Sequence, residues 1–139
     1  MTRRDRRASV GLQEMITAVA SCVLYVSDQD TALEFYRDTL GFDVVMDADM
    51  GEGGRWLEVK PTGAQTSIVL SAAAAFGREP GEGAFLTFAA DDVDATVLQL
   101  RARGATTSDV TREPWGTFAT VDAPDGDKLQ FNERPQNRG

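Results

Sequence analysis

Val23-Leu24-Tyr25-Val26-Ser27-Asp28-Gln29-Asp30-Thr31-Ala32-Leu33-Glu34-Phe35-Tyr36-Arg37-Asp38-Thr39-Leu40-Gly41-Phe42 changes its pattern once, and that change decides the fold. Up to Val26 the residues close an apolar, β-forming segment, Met15–Val26, which predicts a strand. Asp28 or Asp30 can then cap the free amides of a helix over Thr31–Leu40. Leu33, Tyr36 and Leu40 share one face of that helix, and Gly41 ends it in the left-handed conformation. Beyond it, Phe42–Met46, Arg55–Lys60 and Thr66–Ser71 predict three strands, separated by glycine turns at Gly51–Gly54 and Pro61–Gly63. The order is β-α-β-β-β.

The same order recurs. A small-residue stretch, Ala72–Gly83, holds Gly77, Pro80, Gly81 and Gly83 and predicts a linker centred on 76–83. Ala84–Ala90 predicts a strand, and Asp91-Asp92 open a helix through Val93, Val97 and Leu100 that stops at Gly104. Thr106–Val110, Thr117–Val121 and Lys128–Asn132 complete three more strands, with a turn at Ala123-Pro124-Asp125-Gly126. The helices align at an offset of 64, which pairs Asp28 with Asp92, Asp30 with Asp94 and Arg37 with Arg101. The expected organisation is a single α+β domain over 15–135, with module one about 15–75 and module two about 84–133. An Arg-rich leader over 1–14 and a tail over 134–139 are expected to be flexible.

Composition removes several kinds of chemistry. The chain has no histidine, which excludes a Ser-His-Asp hydrolase, a zincin and a 2-His-1-carboxylate iron site. One cysteine, Cys22, excludes an internal disulfide. No apolar run approaches the roughly 20 residues of a membrane helix. Fourteen basic and 22 acidic residues give −8, and residues 8–139 alone carry about −11. Such a surface repels nucleic-acid phosphates and suits neutral or cationic small molecules. The expected partners are therefore a small-molecule ligand, cationic or aromatic, with no nucleic acid and no membrane, in the cytoplasm.

Strand alternation separates two faces. Leu57 and Val59 oppose Trp56 and Glu58, Ile68 and Leu70 oppose Ser67, Val69 and Ser71, and Leu129 and Phe131 oppose Lys128, Gln130 and Asn132. The cleaner apolar face belongs under the helix. The other is mixed, and two such sheets facing each other would enclose a half-open, partly polar cavity.

Val23–Asp28, Ala32–Tyr36 and Leu40–Phe42 resemble the first module of the glyoxalase/bleomycin resistance protein/dioxygenase (vicinal oxygen chelate) superfamily. Asp91–Ala95, Ala102–Gly104, Pro114-Trp115-Gly116 and Ala123–Asp127 resemble its second module, in the family's order, over about residues 16–133. The resemblance implies two tandem βαβββ modules forming a curved mixed sheet around a cavity, and a homodimer whose protomers complete each other's cavities. It also implies four metal-ligand positions, which fall here on Ser21, Val69, Phe85 and Gln130. None is a good donor: a phenyl ring offers no lone pair, and amide or hydroxyl substitutes poorly for carboxylate or imidazole. No metal and no cofactor are expected, and with them the family's metal-dependent reactions.

The candidate ligand contacts are Ser21, Tyr25, Trp56, Glu58, Phe85, Trp115 and Gln130. Trp56 and Trp115 can stack on a planar ligand or belong to a core. Glu58 can anchor a cation, act as a general base if desolvation raises its pKa, or sit solvated at a rim. Cys22, of opposite parity to Ser21, is expected beneath the helix as a structural thiol. The acidic loop Asp43–Glu52 is expected to be a solvated hairpin tip. Three readings follow: a metal-free sequestering protein of the antibiotic-resistance kind, a metal-independent lyase or isomerase with Glu58 as base, and an interaction module.

Overall fold

The computed structural model describes residues 19–82 and 85–133, so the leader 1–14 and the tail 134–139 lie outside the described residues. Module one consists of β1 (Ser21–Val26), α1 (Gln29–Leu33), β2 (Asp43–Asp49), β3 (Arg55–Lys60) and β4 (Ser67–Ala72). Module two consists of β5 (Thr87–Ala89), α2 (Val93–Ala102), β6 (Thr111–Glu113), β7 (Gly116–Asp122) and β8 (Lys128–Glu133). The two sheets have the same order, β1-β4-β3-β2 and β5-β8-β7-β6. In each, the first strand pairs in parallel with the last and the other neighbours are antiparallel. The repeat at offset 64 is thus a repeat of topology.

Local chemistry starts and stops the helices at matching residues. The Asp28 carboxylate accepts from the amides of Asp30 and Thr31 at 2.8 and 3.2 Å, and Asp92 accepts from Ala95 at 3.0 Å. Capping falls to Asp28, so α1 begins at Gln29, two residues before Thr31. Gln29 also donates to the carbonyls of Leu70 and Arg55, which seats the helix on its sheet. Asp30 and Asp94, freed from capping, each hold an arginine of their own sheet: Arg55 at 2.7 Å and Arg112 at 2.6 Å. Gly41 and Gly104 take φ of +78° and +89°, the left-handed stops expected. The rest of the first helix, Glu34–Thr39, widens to π spacing, and the Leu40 amide reaches the Phe35 carbonyl five residues back.

Four expected strands shift by more than one residue, the first of them Met15–Val26, which begins at Ser21 with Val19 and Ala20 outside the ladder and residues 15–18 outside the described ones. Thr106–Val110 forms no strand: only Thr107 bridges to Val121, and the ladder forms at Thr111–Glu113 instead. The two-residue turn Pro114-Trp115 sets that register, because Glu113 must face Gly116. β2 runs on to Asp49, so Asp47 and Asp49 lie on a strand and Asp47 pairs with Arg55. β5 is shorter than Ala84–Ala90, and Phe85 precedes it in a loop.

The apolar faces of both sheets close into a shared core. Leu24, Leu57, Val59, Ile68 and Leu70 of module one join Leu100, Val121, Leu129 and Phe131 of module two. Phe88 seals the junction, edge-on to Phe42 at 5.4 Å and stacked on Phe131 at 5.7 Å. Arg103 donates to the Thr39 carbonyl, and Ser27 to Asp125, across the same junction. The linker follows the outer edge of β1, where the Gly81 amide donates to the Tyr25 carbonyl at 2.8 Å. Because the apolar faces meet, the mixed faces look outward. Among the described residues, no hydrogen bond, ion pair or ring contact joins one mixed face to the other. Within one chain the cavity is therefore two open walls.

Candidate functional site

The wall of module one is built from three rows. Val23, Val69, Glu58 and Met46 lie side by side across β1, β4, β3 and β2, as the ladder registers require. Ser21 and Ser67 form the row on one side. On the other, Tyr25 pairs with Ser71, and Trp56 with Ala48. Trp56 leaves 42% of its surface exposed, and Val23 and Met46 are also exposed. Val69 and Ser67 are buried by their strand neighbours.

Glu58 sits at the middle of this wall with both oxygens engaged. The Trp56 indole N–H donates to Oε1 at 2.9 Å, and the Ser67 hydroxyl donates to Oε2. These two donors, Ser67 first, hold the carboxyl below the usual glutamate range. The condition on which Glu58 would act as a base, a pKa raised by desolvation, runs opposite to this direction. Two satisfied oxygens and an ionised form favoured by hydrogen bonds make a weak proton acceptor. Glu58 also fixes the indole, through parity with Trp56 on one strand and the β3–β4 register that brings Ser67 alongside. Parity was visible in the sequence, whereas Ser67 as the second donor needed the register.

Tyr25 stands at the edge of the wall. Arg78 lies 5.5 Å from its ring centroid and is paired with Glu82, and Phe76 packs 6.2 Å away. Cys22, on the opposite face of β1, is half-buried, and burial pushes its thiol pKa up. It borders an apolar recess of about 310 Å³ at the module junction with Pro61, Ile68, Leu86 and Phe88. That environment suits an inert structural thiol.

The wall of module two is neutral. Gln130 lies between Thr87 and Thr120, and Asn132 lies between Ala89 and Phe118. Lys128 and Asp122 form an ion pair at 2.6 Å at one end. Trp115 projects from the β6–β7 turn, 67% exposed, and Phe85 is 68% exposed ahead of β5. Of the seven candidate contacts, Ser21, Tyr25, Trp56 and Glu58 come together on one wall. Phe85, Trp115 and Gln130 belong to the other module.

The four positions where a metal would be held do not fit one. Ser21 offers a hydroxyl, Val69 and Phe85 offer hydrocarbon, and Gln130 offers an amide. Glu58, the one carboxylate central to either wall, is saturated by Trp56 and Ser67. Among the described residues, no three His, Cys, Asp or Glu side chains cluster to hold an ion. Nor is any helix long and apolar enough to cross a membrane.

Known proteins share this architecture. The chain is similar to TnmS3, an antibiotic binding protein from Streptomyces sp. CB03234, at 39% identity over 86% of this chain and 98% of that one, with a TM-score of 0.79. A structure from Sphaerobacter thermophilus DSM 20745, described as a member of the glyoxalase/bleomycin resistance protein/dioxygenase superfamily, matches at 33% identity, 86% and 99% coverage, and a TM-score of 0.78. In Bacillus subtilis (strain 168), the protein called "Uncharacterized protein YetH" is 30% identical over 120 residues, 86% of this chain and all of that one. The family model for the Glyoxalase/Bleomycin resistance protein/Dioxygenase superfamily matches residues 18–131, and the chain belongs to that superfamily.

Proposed function

We propose that this chain sequesters a small organic molecule of the antibiotic kind, without a metal and without converting it. The observation that carries the reading is the wall of module one: an exposed indole and exposed aliphatic side chains around a carboxylate already saturated by its own neighbours. Such a surface offers stacking area and orientation but no activated base. The 39% identity to an antibiotic binding protein supports it.

In this reading the working unit is a homodimer. The wall of module one in one copy, with Ser21, Tyr25, Trp56 and Glu58, covers the wall of module two in its partner, with Phe85, Trp115 and Gln130. The outward orientation of both walls supports that pairing, since a single chain cannot close either. The work is placed in the cytoplasm, where a free thiol such as Cys22 stays reduced.

Calorimetry and thermal-shift titration with a panel of planar antibiotics, with and without a chelator, test the reading. A ligand present at 100 times its Kd is expected to stabilise the protein by about 2.7 kcal/mol, and the chelator to change nothing. Ligand binding that requires a divalent metal, or recovery of a chemically altered ligand, would overturn it. Sedimentation at micromolar concentration is expected to give twice the 15.0 kDa chain mass. A monomer there would remove the paired walls.

A further inference from the structure

We infer that Glu58 makes the wall of module one a subsite for a planar organic cation, one in which a protonated amine or amidinium adjoins an aromatic ring. The inference deepens the sequestration reading and rests on it. Its basis is a negative charge with hydrogen bonds but no counter-charge. Among the described residues, both partners of Glu58 are neutral donors, the Trp56 indole and the Ser67 hydroxyl.

Among the described residues, three cations are near enough in strand or face to be weighed, and none forms an ion pair with it. Lys60 shares the face of Glu58 on β3, but its ammonium donates to the Ala64 carbonyl at 2.9 Å. Arg55 is turned to the helix side, where it holds Asp30 and Asp47. Arg78 lies over Tyr25 and pairs with Glu82. The facing residues in the same row, Val23, Val69 and Met46, carry no charge.

A ligand that covers this wall must take the carboxylate out of water. Stacking on an exposed indole raises affinity by roughly 5- to 150-fold. A carboxylate buried with no partner at all would lower it by roughly 200- to 4000-fold, an upper bound here because Trp56 and Ser67 stay bonded to Glu58. Part of that loss already offsets the stacking gain, so a neutral or anionic plane profits less from Trp56 than a cationic one while it covers Glu58. A ligand bringing its own positive charge meets no such loss, and it also gains the attraction of a chain with net charge −8. Trp56, held by Glu58, then presents its ring beside the charge it is tied to, the arrangement a cationic plane exploits twice.

Three tricyclic probes of similar size test this by fluorescence anisotropy on the full-length protein at physiological ionic strength. They are proflavine, a cation; 9-anthracenemethanol, neutral; and anthracene-9-carboxylate, an anion. Proflavine is expected to bind at least tenfold tighter than the neutral probe, with the anion weakest. Glu58→Gln keeps an oxygen acceptor for the Trp56 indole, and it is expected to cost proflavine tenfold or more while leaving the neutral probe equal or tighter. Glu52→Gln, at an exposed acid on the Gly51–Gly53 turn, is expected to leave all three unchanged. Equal binding of the three probes by the wild type would overturn the charge preference and leave the sequestration reading standing. Equal loss of all three in Glu58→Gln would assign Glu58 to the fold alone and also overturn it. Failure of every probe to bind the wild type would overturn the cation subsite, while the antibiotic titrations decide the sequestration reading separately.

Discussion

The two modules share a strand topology and differ most on one face. On the helix side they match: Leu57 and Val59 of β3 correspond to Ala119 and Val121 of β7, and all four are buried. On the open side they diverge. Val69 of β4 lies between Val23 and Glu58, whereas Gln130 of β8 lies between Thr87 and Thr120. Trp56, two residues before Glu58, corresponds to Phe118, two before Thr120. The repeated fold thus keeps the face that forms the core and varies the open face, where the proposed ligand would lie. One wall has an apolar middle row with a carboxylate at its centre, the other a polar, neutral one.

The helix-side match predicts the largest effects. Leu57→Ala and Leu129→Ala remove side chains that are fully buried in one shared cluster. Each is expected to cost about 2–5 kcal/mol in urea denaturation, within a single cooperative transition. Two separate transitions in either variant would show that the modules fold independently and that the junction at Phe88 contributes little.

The open-side difference predicts the next effect. Trp56→Ala is expected to weaken a bound planar ligand by about 1–3 kcal/mol, roughly 5- to 150-fold. Little stability should go with it, because the indole is half exposed and the Glu58 carboxylate keeps Ser67. Unchanged affinity in calorimetry would move the ligand off this wall.

How much of this contrast could be read in the chain depends on range. The helix starts at Asp28 or Asp30 and at Asp91-Asp92, the stops at Gly41 and Gly104 and the two faces of each strand all follow from residues at most a helical turn apart, and the repeat follows from matching those local patterns at an offset of 64. They were legible for that reason. Thr106–Val110 misled because three of its five residues, Thr106, Thr107 and Val110, are β-branched, while the register is set further on by the Pro114-Trp115 turn. At the π-helical stretch Glu34–Thr39 the Tyr36 ring packs against Phe42 at 5.9 Å, and neither the widening nor this contact is signalled by the i, i+3, i+7 spacing. The Ser67 bond to Glu58 and the meeting of the apolar faces are long-range results of strand pairing. Parity could say which residues share a face, and only pairing could say which face each module turns to the other.

The caps offer a finer comparison. Asp28 accepts from two amides and Asp92 from one. Asp28→Ala is expected to cost about 1 kcal/mol and Asp92→Ala about half of that, measured by thermal unfolding. The reverse order would mean that the Arg55–Asp30 pair and the Gln29 bonds, rather than the cap, anchor the start of α1.

Glu58 adds a dependence on pH that module two, with Thr120 in its place, lacks. Its folded pKa is lowered by Ser67 and Trp56, so its contribution to stability is present above the ordinary glutamate pKa. That contribution fades as pH falls through the lowered value, because protonation then costs the folded state its favoured ion. Glu58→Gln is expected to lose a little stability at pH 7 and to show a shallower decline on acidification. An unchanged acid profile would mean that the two hydrogen bonds are equally well made in the protonated state.

The smallest expected effect lies under the first helix, where the repeat pairs Tyr36 with Leu100. Both are buried in the shared core, yet Tyr36 brings a hydroxyl to a place where Leu100 brings none. Among the described residues that hydroxyl has no hydrogen-bond partner, and the side chain is 1% exposed. Burial, with the nearby charges of Asp127 and Asp125, drives its pKa far above the ordinary tyrosine value, so it is neutral at any working pH. A buried hydroxyl that makes no bond carries a desolvation cost of about 1–3 kcal/mol, and replacing it by hydrogen in the same ring removes that cost without opening a cavity. Tyr36→Phe is therefore expected to leave stability unchanged within about 0.5 kcal/mol or to raise it, against the usual direction for a buried tyrosine. A loss above about 1 kcal/mol would mean that the hydroxyl is satisfied in solution, through a water shared with the buried and equally unpartnered Asp127 oxygen. In that case the junction between the modules would rest on a polar bridge as well as on Phe88, and the helix-side faces would differ between the modules after all.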